Sequence, residues 1–177
     1  ARRYYEAVWR QDMTQAAAAF GLARIALSTV GRAGAVRVLD EVPGESRHRR
    51  AARIAAVRVR CGRLAPGETR GDGLPGADGI TDALARVREL GLDRDDESTV
   101  RLVALIREAA FDHLRHAGDP GPITDHTGWI LGDEVTPRSL RGRLESSYRA
   151  LARQARNRND HDILVDLANS VRPRTLW

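Results

Sequence analysis

The chain has 177 residues, 42% apolar but only 5% aromatic, and a net charge of +5. That length supports one core without disulfide or metal staples, and an apolar fraction so rich in alanine favours closely packed helices over a sheet of β-branched and aromatic strands. All 29 basic residues are arginine, which leaves no lysine to sit on nucleotide phosphates in a kinase lobe or Walker A loop, and none for Schiff-base chemistry.

Residues 1 to 13 set Tyr4, Tyr5, Val8 and Trp9 at helical spacing, with Arg2, Arg3, Glu6 and Arg10 mostly opposite; this reads as a helix entering from an upstream segment. Thr14 caps a second helix running to about Val30, with Ala19, Leu22, Ala23, Ala26 and Leu27 inward and Gly31 as its stop. A short third helix from Ala33 to Val42 ends at Pro43 and Gly44 and closes a helical hairpin. The fourth, from about Ser46 to Cys61, carries Ala51, Ile54, Ala55, Val57 and Cys61 on or near one face.

From Gly62 to Gly79, six of eighteen residues are glycine and two are proline, which predicts a mobile loop. Helices are expected over Thr81 to Leu90 and, capped by Asp96, over about Glu97 to Ala117 with a stripe of Val103, Ile106, Ala110 and Leu114. Gly118 to Val135 reads as a loop plugged by Trp129, Ile130 and Leu131. Thr136 and Pro137 form a cap and first position for a helix presenting Leu140, Leu144, Tyr148, Leu151 and Ala155, and Asp160 caps a last helix burying Ile163, Leu164, Leu167 and Val171 before Pro173.

Cys61 is the only cysteine, which rules out an internal disulfide or thiolate cluster and points to a reducing cytoplasm. Arginines break every apolar stretch, so none approaches the roughly 18 to 20 residues of a membrane span. The 24 acidic residues are interspersed among the arginines, and arginine in place of lysine throughout is the codon preference of a GC-rich genome more readily than a nucleic-acid footprint. His113 and His116, one helical turn apart with Asp112 and Asp119 nearby, lack a third organised ligand and read as packing or surface residues, as does His161. No GxSxG-like turn is present. No catalytic, cofactor or metal residue is assigned.

About seven helices joined mainly by short turns describe an all-α, solenoid-like superhelix in which each hairpin buries its apolar face on the next. It divides into repeat-like hairpins over 1–61, the Gly/Pro loop 62–79 and C-terminal helices over 80–177. AAAAFGLARIAL, the turn GRAGA and AVRVLDEVP resemble a tetratricopeptide repeat, with Ala35, Leu39 and Pro43 similar to its second helix and terminal proline. The longer strings YYEAVWRQDMTQAAAAFGLARIAL, AGAVRVLDEVPGESRH, SLRGRLESSYRALARQA and ILVDLANSVRPRTLW, about half the chain together, resemble the C-terminal tetratricopeptide region of actinobacterial protein kinase G.

The resemblance implies a soluble, cytoplasmic serine/threonine kinase as parent, using ATP and magnesium and carrying iron in a rubredoxin-like module. No HRD-type loop, DFG or CxxC occurs here, so none of the residues for that chemistry has a position in this sequence. The implied role is a non-catalytic scaffold that positions its own kinase domain, supports a homodimer, and docks substrates such as a forkhead-associated regulator. A basic helical nucleic-acid binder and a stand-alone adaptor are the rival readings. Tyr4, Tyr5 and Trp9 are candidates for covering the open end of the stack, against ordinary core packing on the second helix. Arg24, Arg53 and Arg58 are candidates for a concave face that accepts acidic peptide, against a solvated role.

Overall fold

The computed structural model describes residues 1–65, 73–93, 96–117, 123 and 129–173. Among them are eight helices: α1 (Arg2–Gln11), α2 (Ala16–Thr29), α3 (Arg32–Asp40), α4 (Arg49–Cys61), α5 (Ala77–Glu89), α6 (Glu97–Ala117), α7 (Pro137–Gln154) and α8 (Arg158–Val171). Between α6 and α7 lies one antiparallel hairpin, β1 (Trp129–Ile130) with β2 (Asp133–Glu134). Successive helices pack on one another along the chain, so the expected all-α repeat stack is the architecture found.

Local chemistry explains most boundaries. Thr136 Oγ1 accepts from Ser139 N–H at 3.2 Å with Pro137 at the first helical position, as expected for α7. The cap of α8 is Asn157 and not Asp160: its Oδ1 accepts from Asp160 N–H at 2.8 Å, which starts the helix at Arg158 and leaves Ala155 as the extended C-cap of α7. Thr14 caps no helix. Its N–H and hydroxyl both donate to Asp12, and α2 starts at Ala16 after Gln15.

Helix α5 begins at Ala77, inside the stretch read as loop. Extended Gly76 caps it, and Gly79 lies so close to α4 that a Cβ there would stand 3.0 Å from the Arg60 carbonyl oxygen; the glycine that argues for a loop in sequence is a contact point between two helices. The rest of the expected mobile loop is pinned at its described ends by Leu64 N–H donating to Gly73 O and Arg32 donating to the same carbonyl at 2.6 Å, while residues 66–72 lie outside the described set.

The β hairpin was not foreseen. Its turn is Leu131 and Gly132, with φ of 52° and 81°, the left-handed pair that matches strand twist. Ile130 and Ile123 are fully buried, so part of the expected plug is real; the Trp129 side chain, most of 118–128 and the tail 174–177 lie outside the described residues.

Three apolar clusters run along the stack. The first joins α1 to α4 through Trp9, Ala18, Ala19, Ala23, Ala35, Leu39 and the inner alanines of α4. A second spans α4 to α7 through Val57, Ile80, Leu102, Ile106 and Leu140, and a third joins α6, α7 and α8 through Leu144, Tyr148, Leu151, Leu164 and Ala168. The face of α8 corrects the sequence stripe: Leu164 and Ala168 are buried, whereas Ile163 is 51% and Leu167 40% exposed. The small Ala168 sits where α8 meets α7, so the helix is rotated toward its smallest side chain and leaves two larger ones outside.

Candidate protein-interaction site

The three aromatic candidates part company on α1. Trp9 is 7% exposed in the first cluster and its indole N–H donates to Glu41 at 3.3 Å, fixing α1 to the end of α3. Tyr5 is half-buried, its ring lying over Gly21, where a Cβ would come within 2.7 Å of it. Tyr4 is 69% exposed and stands edge-on to Tyr5, their centroids 5.9 Å apart. Trp9 is therefore a core residue, and Tyr4 is the member of the trio a partner can reach.

The arginines also separate. Arg24 is exposed on α2, and Arg53 is tied to Glu89 of α5 at 2.6 Å. Of the three, Arg58 lines a groove, with the chain just beyond α4 and with α6, α7 and α8. Two contiguous clefts of 470 and 580 Å³ make up this groove and share Arg63, Glu108, Tyr148 and Leu167. Leu102, Leu105, Leu151 and Leu164 floor the first. In the second, the Arg115 and Arg141 guanidiniums lie 5.8 and 5.7 Å from the Phe111 ring centroid, a distance at which the ring holds each cation.

At the junction, Arg63 donates to both oxygens of buried Asp112, with Nε to Oδ2 at 2.8 Å and Nη2 to Oδ1 at 2.6 Å; the ion pair raises the Arg63 pKa. Burial pushes the neighbouring Glu108 carboxyl above its usual range, the nearby Arg63 only partly opposing it. Burial likewise pushes the Tyr148 phenol up to about 12, with Glu108 adding to the rise. Neither Glu108 nor the Tyr148 hydroxyl has a hydrogen-bond partner among the described residues. Sequence reasoning missed this centre; Leu102, Leu105 and Glu108 share a second face of α6 at i, i+3 and i+6, a signal masked by the stronger Val103 to Leu114 stripe.

Among the described residues no other cluster of chemistry-bearing side chains assembles. His116 shares a hydrogen bond with the Asp112 carbonyl at 2.7 Å, the His113 Nε2 is buried without a partner, and Asp119 lies outside the described residues. Among the described residues no group of three or more His, Cys, Asp or Glu could hold a metal ion. No helix among them is long and apolar enough to cross a membrane. Burial pushes the Cys61 thiol up to about 12, far from a reactive thiolate.

Helical hairpins stacked in chain order define an all-α helical-repeat protein of the tetratricopeptide kind, an architecture whose stacking creates extended binding surfaces. Residues 1–175 match the family described as Protein kinase G tetratricopeptide repeat, and the chain belongs to it. It is 37% identical over 176 residues to the serine/threonine-protein kinase PknG of Mycolicibacterium smegmatis, covering 99% of this chain and 21% of that protein. It is also 37% identical over 172 residues to the PknG of Mycobacterium leprae, covering 97% of this chain and 21% of that one. The chain thus spans about a fifth of the length of the curated relatives it matches.

Proposed function

We propose that the chain is the non-catalytic scaffold of a cytoplasmic serine/threonine protein kinase, positioning the kinase domain, supporting self-association and docking protein substrates, a forkhead-associated regulator among them. ATP, magnesium and the iron of a rubredoxin-like module belong on this reading to other parts of the parent. The observation that carries it is the near-complete match of this chain to one segment of two kinases. Supporting it is apolar surface left open on the first two helices, where Tyr4 on α1 and Val30 at the end of α2, at 69% and 63%, are the most exposed large apolar residues among those described.

Calorimetric titration of this chain with a kinase-containing fragment of such a protein tests the reading. Binding is expected, and Tyr4→Ala should weaken it without lowering the melting temperature. Trp9→Ala is unsuitable because it removes a core side chain. No heat of binding, or binding indifferent to Tyr4→Ala, removes the case for kinase positioning through this face. The nucleic-acid alternative is disfavoured by ion pairing, since Arg53, Arg60, Arg63, Arg86 and Arg107 each already face a carboxylate at 2.6 Å or less.

A further inference from the structure

The double groove carries an uneven charge pattern along its length. Among the described residues five arginines line it against two carboxylates, and one of those, Asp112, is already held by Arg63. Arg58 at one end and Arg115 at the other are exposed and have no carboxylate partner among the described residues. Arg101, beside Arg58, has only an exposed partner one turn back, Glu97, a pairing weak enough to exchange. Between these basic ends the sign reverses: Glu108 and the Tyr148 hydroxyl face the junction without a hydrogen-bond partner among the described residues, beside a floor of leucines and the 40% exposed Leu167.

We propose that this groove docks an acidic, leucine-bearing segment of a partner protein, its carboxylates at the two arginine ends and one cationic side chain over Glu108. The proposal rests on reading the chain as a protein-interaction module and adds the chemistry of what it holds. Each part of the ligand answers one feature. Leucines cover the apolar floor and Leu167, carboxylates replace the water now solvating Arg58 and Arg115, and the central cation supplies the donor that a half-buried carboxylate lacks. Nucleic acid fits less well, because the floor is aliphatic, Phe111 is flanked by Arg115 and Arg141, and Glu108 repels phosphate.

The experiment is fluorescence anisotropy of this chain with a panel of labelled synthetic peptides carrying terminal glutamates, leucines at helical spacing and a central lysine. Parallel peptides have a central glutamate or terminal lysines, and a single-stranded oligonucleotide is a further probe. Arg58→Glu and Arg115→Glu, both on exposed positions, should each weaken the acidic-ended peptide about tenfold or more, as loss of a complementary charge does. Glu108→Lys should weaken the central-lysine peptide and restore the central-glutamate one, a swap that a merely damaged fold cannot produce; circular dichroism confirms folding of all three variants.

Equal binding of the lysine-ended peptides, absence of the charge-swap rescue, tighter binding of the oligonucleotide, or no peptide binding would each overturn the proposal. Concentration-dependent self-association abolished by Arg58→Glu or Arg115→Glu would also overturn it by making a second copy the occupant. Failure here with the kinase fragment still bound in the calorimetric test leaves the scaffold reading standing, and the reverse result separates the two in the other direction.

Discussion

The two ends of the stack are built from different materials. From α1 to the first half of α4 the buried residues are mainly alanines, with Trp9, Val36, Leu39 and Val42 as the larger pieces; from α5 to α8 they are mainly isoleucines and leucines, and two buried aspartates, Asp112 and Asp133, are held by arginines. Small side chains let helix axes approach and leave little space between them, and a cleft there measures 150 Å³. Among the later helices the buried side chains are larger and branched, and clefts of 540, 470 and 580 Å³ lie beside them. The amino-terminal part is organised to stack and the carboxy-terminal part to leave usable space.

The sharpest way to break the comparison is at Asp133. It is 4% exposed, its Oδ2 accepts from Arg107 Nε at 2.7 Å and its Oδ1 faces Arg143 at 2.8 Å, while Arg107 also donates to Ser147. Asp133→Ala strands the mostly buried Arg107 guanidinium and is expected to cost about 3 to 5 kcal/mol in urea unfolding. A loss under about 1 kcal/mol would mean that the hairpin is decoration and does not brace α6 against α7.

Volume changes should act with opposite sense in the two parts. Ile106→Ala opens a cavity among large neighbours and should cost about 2 to 5 kcal/mol, whereas in the alanine-lined part the damaging change is enlargement, with Ala19→Leu expected to cost about 1 to 3 kcal/mol. If Ala19→Leu is silent, the close-packed description of α1 to α4 is wrong. At the same interface Gly21→Ala drives a methyl into the Tyr5 ring; helix propensity returns up to about 1 kcal/mol of that cost, so a small net loss is expected, read as faster amide exchange in α1.

The smallest effect is at Glu108 and depends on pH. Its carboxyl pKa is raised in the folded chain by burial, so the folded state holds the proton more tightly than the unfolded one; stability is fullest below the unfolded carboxyl value and declines as pH rises through the raised one. Glu108→Gln escapes that decline. It should match the parent at acid pH and melt slightly higher at neutral pH, and a variant that melts lower at neutral pH would show that Glu108 has a stabilising partner.

Legibility in the sequence follows the same division. Helices α2, α3 and α7 were readable because apolar period, a stop at Gly31 or Pro43, and the Thr136 and Pro137 pair act within a few residues. The start of α5 was misread because Gly76 and Gly79 serve a cap and a helix contact, uses that a local text cannot separate from a loop. The phase of α8 was misread because Ala168, too small to stand out in a stripe, is the residue α7 accepts. The candidate site was legible only in type: Tyr4 and Arg58 occupy reachable positions, but Trp9 and Arg53 are committed to partners 32 and 36 residues away, and the groove joins residues from four helices that no spacing rule links.

Helix α5 reaches past its neighbour. Arg86 donates to both oxygens of Asp40 on α3, at 2.6 and 2.8 Å, and to Asp82 on its own helix at 2.9 Å, while Arg60 of α4 donates to the same Asp82 at 2.6 Å. In a stack whose members touch only the next in line, each interface opens alone and fraying can start anywhere. A clamp that skips one helix ties three together, so α3, α4 and α5 should open and close as a single foldon rather than as three. Strain arriving at either end of the stack should then be shared by three helices at once, with the two ends acting as levers about them rather than as links in a slack chain.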